Sequence, residues 1–317
     1  MKPHLIVNPA SGNGRTGREF DRIARAVRCA IGEFECSFTR GRGDAKALAR
    51  EVARGGARLV VGVGGDGTAS EMIDGLLEGG GSSPDLELGF IPRGTGADLA
   101  RTLGWPREPE EAARVLAGGA RRVVDVGRVE FTAPDGSSAV RIFANVASAG
   151  LTGRVVQIVG GKGKTLGGKL TYQIGAARAL LGWRDRRVRW RIDGAPWREE
   201  AVTALCVCNG AFFGGAMRVA PAAEIDDGLL DVTLWRGFGI VDFIWRRGQL
   251  YDGSHVRLPN TQTGRGRMVE VEPCDDGGGP LLLEVDGEQP GRLPARFEVL
   301  PRRLAVRARA PAPVHGL

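Results

Sequence analysis

The sequence predicts a two-domain α/β plus β protein, an N-terminal doubly wound parallel sheet followed by a mostly antiparallel β domain. Three observations carry this reading. Short apolar runs alternate with amphipathic helical patterns from residue 5 to residue 116. Near residues 121–125 the texture changes to a succession of strand-like runs with turn signals. The 317 residues also exceed the usual single-domain range. The expected division is 1–122, 123–309 and a frayed tail at 310–317, with the C-terminal segment able to pack back on the first domain.

Leu5-Ile6-Val7 reads as the first buried strand, followed by a polar glycine loop, Asn8-Pro9-Ala10-Ser11-Gly12-Asn13-Gly14-Arg15-Thr16-Gly17. Residues 18–31 set Phe20, Ile23, Ala24, Val27 and Ile31 on one helical face. A strand at 34–38 and a helix at 44–54 come next. The domain centres on residues 59–77, LVVGVGGDGTASEMIDGLL. The β-branched run 59–63 suits a strand buried on both faces of a parallel sheet. Gly64, Gly65, Asp66 and Gly67 then leave the backbone open to close approach by a ligand. Thr68 and Ser70 are candidate N-caps of the helix that carries Met72, Ile73, Leu76 and Leu77. Strand, glycine turn and helix start present N–H groups and a positive dipole end to an anion. Phosphate is the expected guest.

Asp66 would repel a bare phosphate, so Mg²⁺ is expected between them. A strand at 88–92 leads into Arg93-Gly94-Thr95-Gly96-Ala97-Asp98-Leu99-Ala100-Arg101, and 110–116 reads as a short helix. Strand C-termini of a parallel sheet share one edge, so the three glycine turns should converge there. Ser11, Thr16, Thr68 and Thr95 would supply donors for a triphosphate. Asp98 and Arg101, at i and i+3, share a face, and Asp98 either meets a metal or holds Arg101.

Beyond residue 126, strands are expected at 127–131, 140–146, 187–192, 201–209, 229–235, 268–272, 281–285 and 297–301, with helices at 169–181 and 240–247. Lys162, Lys164 and Lys169 lie among glycines in a basic loop that either touches ATP or anionic lipid or is simply solvated. Trp183, Trp190, Trp197, Trp235 and Trp245 divide between core and membrane-facing positions, mostly core.

The formal net charge of +7 favours anionic partners: nucleotides, nucleic acid or an acidic membrane surface. No aromatic RNA-binding motif accompanies the charge, so nucleic acid is not expected. Five cysteines show no metal or disulfide spacing, and three histidines argue against a histidine triad or zinc site. No signal-peptide pattern and no membrane-length apolar run are seen, and a cytoplasmic chain is expected. Residues 62–67 and 12–17 both match the dinucleotide fingerprint. The first puts an acid where a pyrophosphate would pack. The second, with Glu35 at about the right distance, keeps a nicotinamide site as an alternative.

Gly64-Gly65-Asp66-Gly67-Thr68 with Glu71, followed by Pro92 to Arg101, resembles the diacylglycerol kinase catalytic-domain family, which includes bacterial soluble lipid kinases and sphingosine and ceramide kinases. The resemblance extends along most of the chain. Asn8-Pro9-Ala10-Ser11-Gly12, Asn145 with Ser148-Ala149-Gly150-Leu151, Asn209-Gly210, Asp226-Asp227-Gly228-Leu229-Leu230-Asp231 and Asp286-Gly287-Glu288 carry it in order. It implies a phosphofructokinase- or NAD kinase-like nucleotide domain, a β-sandwich, and a cleft where ATP and lipid meet. It also implies transfer of the ATP γ-phosphoryl group to a lipid hydroxyl, diacylglycerol or a similar alcohol. Asp66 would lie at the phosphates and Mg²⁺, with Asp98 and Asp125 in its acidic network. Glu288 would be the base, with Asp286 beside it. Asn8, Ser11, Gly12, Asn13, Arg15, Gly64, Gly65, Gly67, Thr68, Glu71, Gly94, Thr95 and Arg101 would bind nucleotide. Asp227, with Glu224 and Leu229, matches a structural Mg²⁺ site. The chain departs from the family at Ala97, where Asn is usual, and at Asn13, where a basic residue is common and Arg15 substitutes. A peripheral membrane enzyme follows, with a homodimer left open. The alternatives are an NAD kinase or a catalytically weak lipid or nucleotide sensor.

Overall fold

The computed structural model describes residues 2–78, 85–160, 168–274 and 277–309. The tail at 310–317 and the loop with Lys162 and Lys164 lie outside the described residues. The chain divides into two compact units, one formed by the residues up to Val124 and those from Arg303 on, the other by Asp125–Arg302.

The first unit runs β1 (His4–Val7), α1 (Arg15–Arg18), α2 (Phe20–Ile31), β2 (Glu35–Phe38), α3 (Asp44–Arg54), β3 (Leu59–Gly64), α4 (Asp66–Leu77), β4 (Glu87–Pro92), α5 (Asp98–Leu103) and α6 (Pro109–Gly118). Its strands are parallel in the order β4-β3-β1-β2. Beyond β4, Val306 from the end of the chain pairs in parallel with Leu88. The single helix expected at 18–31 is broken at Glu19 into α1 and α2, and α1 takes part of the polar loop. Both faces of β3 are buried, which explains its lack of polar alternation. Leu5, Val7, Val61, Val63 and Ile91 pack with Ile23, Val27 and Leu116 on one side. Thr68 and Ser70 do not cap α4. The chain is extended at Gly65 and turns helical at Asp66, so both hydroxyls fall inside the helix and are buried.

The second unit begins within β5 (Ala120–Thr132) and continues β6 (Ser138–Phe143), β7 (Val146–Gly150), α7 (Leu151–Gly160), α8 (Gly168–Leu180), β8 (Arg186–Ile192), β9 (Arg198–Val202), β10 (Ala204–Cys208), β11 (Leu230–Trp235), α9 (Ile240–Trp245), α10 (Arg247–Asp252), β12 (Thr261–Gly266), β13 (Met268–Pro273), β14 (Leu282–Val285) and β15 (Glu288–Ala308), whose last residues return to the first unit. Here the strands pair antiparallel, with β12-β11-β10-β7-β14-β15 forming the main path. The runs expected at 140–146 and 201–209 are each two strands. Helix α7 and strand β12 were not foreseen.

Strand β10 shows how the layers divide. Leu205 and Val207 enter the core between strands, with Phe143, Trp190, Val232 and Phe297. Ala204, Cys206 and Cys208 face the opposite way, against α7 and α8 residues Leu151, Val155, Ala179 and Leu180. A strand covered on both faces can be apolar at every position. Burying each Leu or Val side chain is worth about 1.5–3 kcal/mol.

Candidate active site

The three glycine turns of the first unit converge at the C-terminal ends of β1, β3 and β4. A Cβ on Gly12 would stand 2.6 Å from the Arg93 carbonyl oxygen, and one on Gly94 would stand 2.6 Å from Gly65 Cα. A Cβ on Gly96 would fall 2.7 Å from Asp66 Oδ2. Side chains at these positions would hold the turns apart, so the glycines are required by proximity. Gly12 also has φ +60 and Asn13 φ 58.

Asp66 sits at the start of α4, and its carboxylate Oδ1 accepts from the Leu99 N–H at 3.3 Å at the start of α5. Burial, then the Asp98 charge, raises the Asp66 carboxyl to about 6 against the opposing N–H bonds of Leu99, Ala97 and Asp98. Asp98 is itself buried and takes Arg101 Nη1 on Oδ1 at 2.9 Å. Arg101 also donates to the Gly96 carbonyl. Ala97, which joins turn to helix, holds φ 55 in the left-handed region.

The opening loop is tied to the central turn. Asn8 Nδ2 donates to Thr68 Oγ1 at 3.0 Å, and its Oδ1 accepts from Ala10 N. Ser11 and Thr16 share a hydroxyl hydrogen bond of 2.5 Å, and Ser11 donates to the Asn8 carbonyl. Arg15 pairs with Glu19 at 2.6 Å, and buried Arg93 meets the same carboxylate. No side chain caps α4, which leaves its first amides facing the turn. Thr95 is exposed and Glu71 is partly exposed on α4.

In the second unit, Asp286 accepts three backbone N–H groups, from Ala144 at 2.9 Å, Asn145 at 3.1 Å and Val146 at 3.0 Å. It therefore clamps the break between β6 and β7. Glu288 meets Arg141 Nη1 at 2.9 Å and stays partly exposed. Asp125, expected in the acidic network of Asp66, has its carboxylate engaged within the second unit. It accepts from Gly228 N at 2.7 Å and Arg302 N at 2.6 Å, fixing the chain where it leaves that unit.

Sequence reasoning missed Glu284. It is buried on β14, accepts from Ser148 Oγ, and takes the Gly287 N–H at 2.5 Å. Burial pushes it up to about 7. A lone acid inside Leu281-Leu282-Leu283-Glu284-Val285 was the available signal.

Asp227 accepts from Leu229 N at 3.0 Å and from Arg265 Nη2, and Arg265 Nε also lies 3.3 Å from Asp231. Glu224 is exposed and adds to the negative field on Arg265. The one guanidinium thus faces the carboxylates of Asp227, Asp231 and Glu224. Among the described residues no group of three or more His, Cys, Asp or Glu side chains is disposed to hold a metal.

The chain matches the diacylglycerol kinase catalytic domain over residues 2–129 and the YegS C-terminal NAD kinase beta sandwich-like domain over residues 145–308. A diacylglycerol kinase of Bacillus subtilis is 28% identical over 306 residues, covering 96% of this chain and 95% of its own. One from Mycobacterium tuberculosis is 29% identical over 310 residues, with 96% and 94% covered. A crystal structure of a candidate diacylglycerol kinase from Bacillus anthracis aligns with TM-score 0.76 at 25% identity, covering 99% of this chain and 98% of that one. Yeast NADH kinase shares the fold at TM-score 0.52 and 12% identity, covering 96% of this chain and 82% of that one.

Proposed function

Since the chain belongs to the diacylglycerol kinase catalytic-domain family and is a lipid kinase, we propose that it transfers the γ-phosphoryl group of ATP to the free hydroxyl of diacylglycerol or a similar lipid alcohol. The observation that carries this reading is the meeting of three glycine turns around the Asp66 carboxylate. Phosphoryl transfer asks a protein mainly for positioning and charge neutralisation, which bare amides and carboxylates supply.

The amides of Gly12, Asn13, Gly65, Gly67 and Thr95 bind the phosphate oxygens, with α4 directing its N-terminus at them, while the Gly94 N–H holds its turn by donating to the Gly64 carbonyl at 3.1 Å. Asn8 and Thr68 brace the two turns, and the Ser11 hydroxyl, donating to the Asn8 carbonyl, holds the opening loop in shape. Asp66 and Asp98 fit a divalent cation, since their mutual repulsion is what a positive ion would relieve. Asp66 would hold Mg²⁺, which when bound neutralises phosphate charge. Asp98 keeps Arg101 in place. Glu288, oriented by Arg141, takes the proton from the lipid hydroxyl. Asp286 keeps the backbone at 144–146 in order. No helix among the described residues is long and apolar enough to cross a membrane. The enzyme acts as a peripheral protein on the cytoplasmic membrane face, and its state as monomer or dimer is read by sedimentation.

The test is incubation of purified protein with ATP labelled at the γ position, Mg²⁺ and diacylglycerol, phosphatidylglycerol, sphingosine or ceramide in mixed micelles. Label in phosphatidic acid is expected, with Glu288→Gln reducing it at least a hundredfold, the scale of a general base. Label entering NAD, with none in any lipid, sinks the proposal.

A further inference from the structure

Helix α9 is apolar on two faces, and only one is covered. Its six residues read IVDFIW. Ile240 and Phe243, three apart, pack against the core beneath α7, α8 and β11. Val241, Ile244 and Trp245, at i, i+3 and i+4, form the other face, with exposures of 64%, 65% and 84%. Two further exposed apolar side chains, Ile174 on α8 and Leu181 just past its end, belong to the neighbouring helix, which contacts α9. These five, with Phe38 and Val140 elsewhere, are the exposed large hydrophobics among the described residues. Single exposed apolar residues are common, but a Trp, Ile and Val on one short helix beside two more form a patch.

The exposed charge around this patch is mainly basic, and the acid beside it, Asp185, is engaged by the Gly237 N–H and the Thr203 hydroxyl. Arg246 and Arg247 follow Trp245 directly, and Arg247 is exposed. Arg178 and Arg184, both exposed, flank Leu181. The one acid on α9, Asp242, pairs with Arg246 and caps the helix through the Gly239 N–H, so its charge is met within the element. Residues 173–184 contain no acid. Trp prefers the boundary between hydrocarbon and water, and arginine stems lie along apolar surface while the head reaches phosphate.

We infer that the outer face of α9, with Ile174 and Leu181, is the surface by which this chain inserts into an anionic lipid bilayer. The inference rests on the lipid-kinase reading, because a substrate held in a bilayer requires the enzyme to reach that surface. Trp245, Ile244 and Val241 enter the headgroup boundary, and Arg178, Arg184 and Arg247 meet lipid phosphates. The same face explains why the expected division of the tryptophans leaves Trp190 and Trp235 in the core and Trp245 outside.

The test compares the full chain with Ile244→Ser/Trp245→Ser. Both positions are exposed, so the variant should melt at the parent's temperature. Co-sedimentation with vesicles of phosphatidylcholine alone, and with phosphatidylglycerol added, reads binding. Intrinsic tryptophan fluorescence reads insertion. The parent should bind the anionic vesicles and shift to the blue, with affinity falling as salt rises. The double variant should lose about tenfold or more in vesicle affinity and the blue shift. Turnover of vesicle-embedded diacylglycerol should fall in step, while turnover of a short-chain diacylglycerol dispersed in water should not change. Unimpaired vesicle binding by the variant overturns the inference. So does a parent dimer in sedimentation that the variant converts to monomer without affecting vesicle binding. Should the parent bind vesicles through Trp245 yet phosphorylate no lipid, the kinase reading fails and the docking surface stands.

Discussion

Gly94 lies so close to Gly65 that a Cβ on Gly94 would stand 2.6 Å from the Gly65 Cα. The obstacle is backbone, which cannot rotate aside. Gly94→Ala should therefore push the two turns apart, costing about 1–3 kcal/mol of stability as overpacking does. Kinase activity should fall at least a hundredfold. Gly67, in the first turn of α4, has nothing within 4 Å of its Cβ. Gly67→Ala should leave the thermal melt unchanged or slightly raised, since Ala is the better helix former. Equal melts for the two variants would contradict the close approach.

Asp66, raised to about 6 by burial and by Asp98, should set an acidic limb in the pH profile. The anion is the form that holds a cation, so kcat/KM should fall as pH drops through about 6. The stability contribution has the opposite sense. The folded state keeps a proton that the unfolded chain has lost, so stability declines as pH rises from about 4 toward 6. Asp66→Asn should reduce activity at least a thousandfold without lowering the melting temperature at pH 8, consistent with loss of a phosphate-site charge. A melt several degrees lower would make Asp66 a structural residue.

Glu284, pushed up from 4.5 to about 7, gives a second pH signature. Between those values the native carboxyl holds a proton and the unfolded one does not, so its contribution decreases as pH rises through the window and is constant above it. The full difference is about 3 kcal/mol at 1.36 kcal/mol per unit. Glu284→Gln keeps a neutral side chain that hydrogen-bonds at every pH. Urea unfolding at pH 5 and pH 8 should show a smaller difference for the variant than for the parent. Matching differences would remove Glu284 as the source.

Ala97 occupies a left-handed backbone position, φ 55, that costs an alanine about 1 kcal/mol. Asn and Gly tolerate it better. Ala97→Asn should raise stability by roughly 0.5–1 kcal/mol, read by chemical denaturation. A destabilised variant would mean that the amide does not fit the crevice beside Trp105 and Ala100.

Arg265 serves both Asp227 and Asp231, whose carboxyl is raised by burial despite that guanidinium. Arg265→Gln should destabilise the unit by about 1–3 kcal/mol, the range for charge-assisted hydrogen bonds. Millimolar Mg²⁺ should restore part of the loss in the variant and do little for the parent. Equal metal effects on both would show that the guanidinium does not stand in for a cation.

The Gly64-Gly65-Asp66-Gly67-Thr68 turn was legible because its parts are neighbours. A β-branched strand, bare backbone and a helix start lie within a dozen residues. The onset of α4 falls earlier than the candidate caps Thr68 and Ser70 imply, because the chain is extended at Gly65 and already helical at Asp66. The runs at 140–146 and 201–209 each read as one strand, since apolar content alone does not reveal the breaks, the first held by Asp286 at residues 144–146 and the second at Thr203, whose hydroxyl donates to Asp185.

By itself the sequence determined the alternation of strands and helices, the three glycine turns and the carboxylates that identify a phosphotransferase. Those features rest on periodicity and backbone freedom, which act over a few residues. Only the tertiary structure decided which partners each carboxylate meets. Asp125 meets Arg302 across 177 positions, Asp286 meets Asn145 across 141 and Ser148 meets Glu284 across 136. An acid looks the same in a sequence whether its oxygens face solvent, a guanidinium or three amides. Burial and hydrogen-bond partners, both products of distant chain segments, separate Asp286, held by three amides, from Glu288, paired with Arg141 and partly exposed.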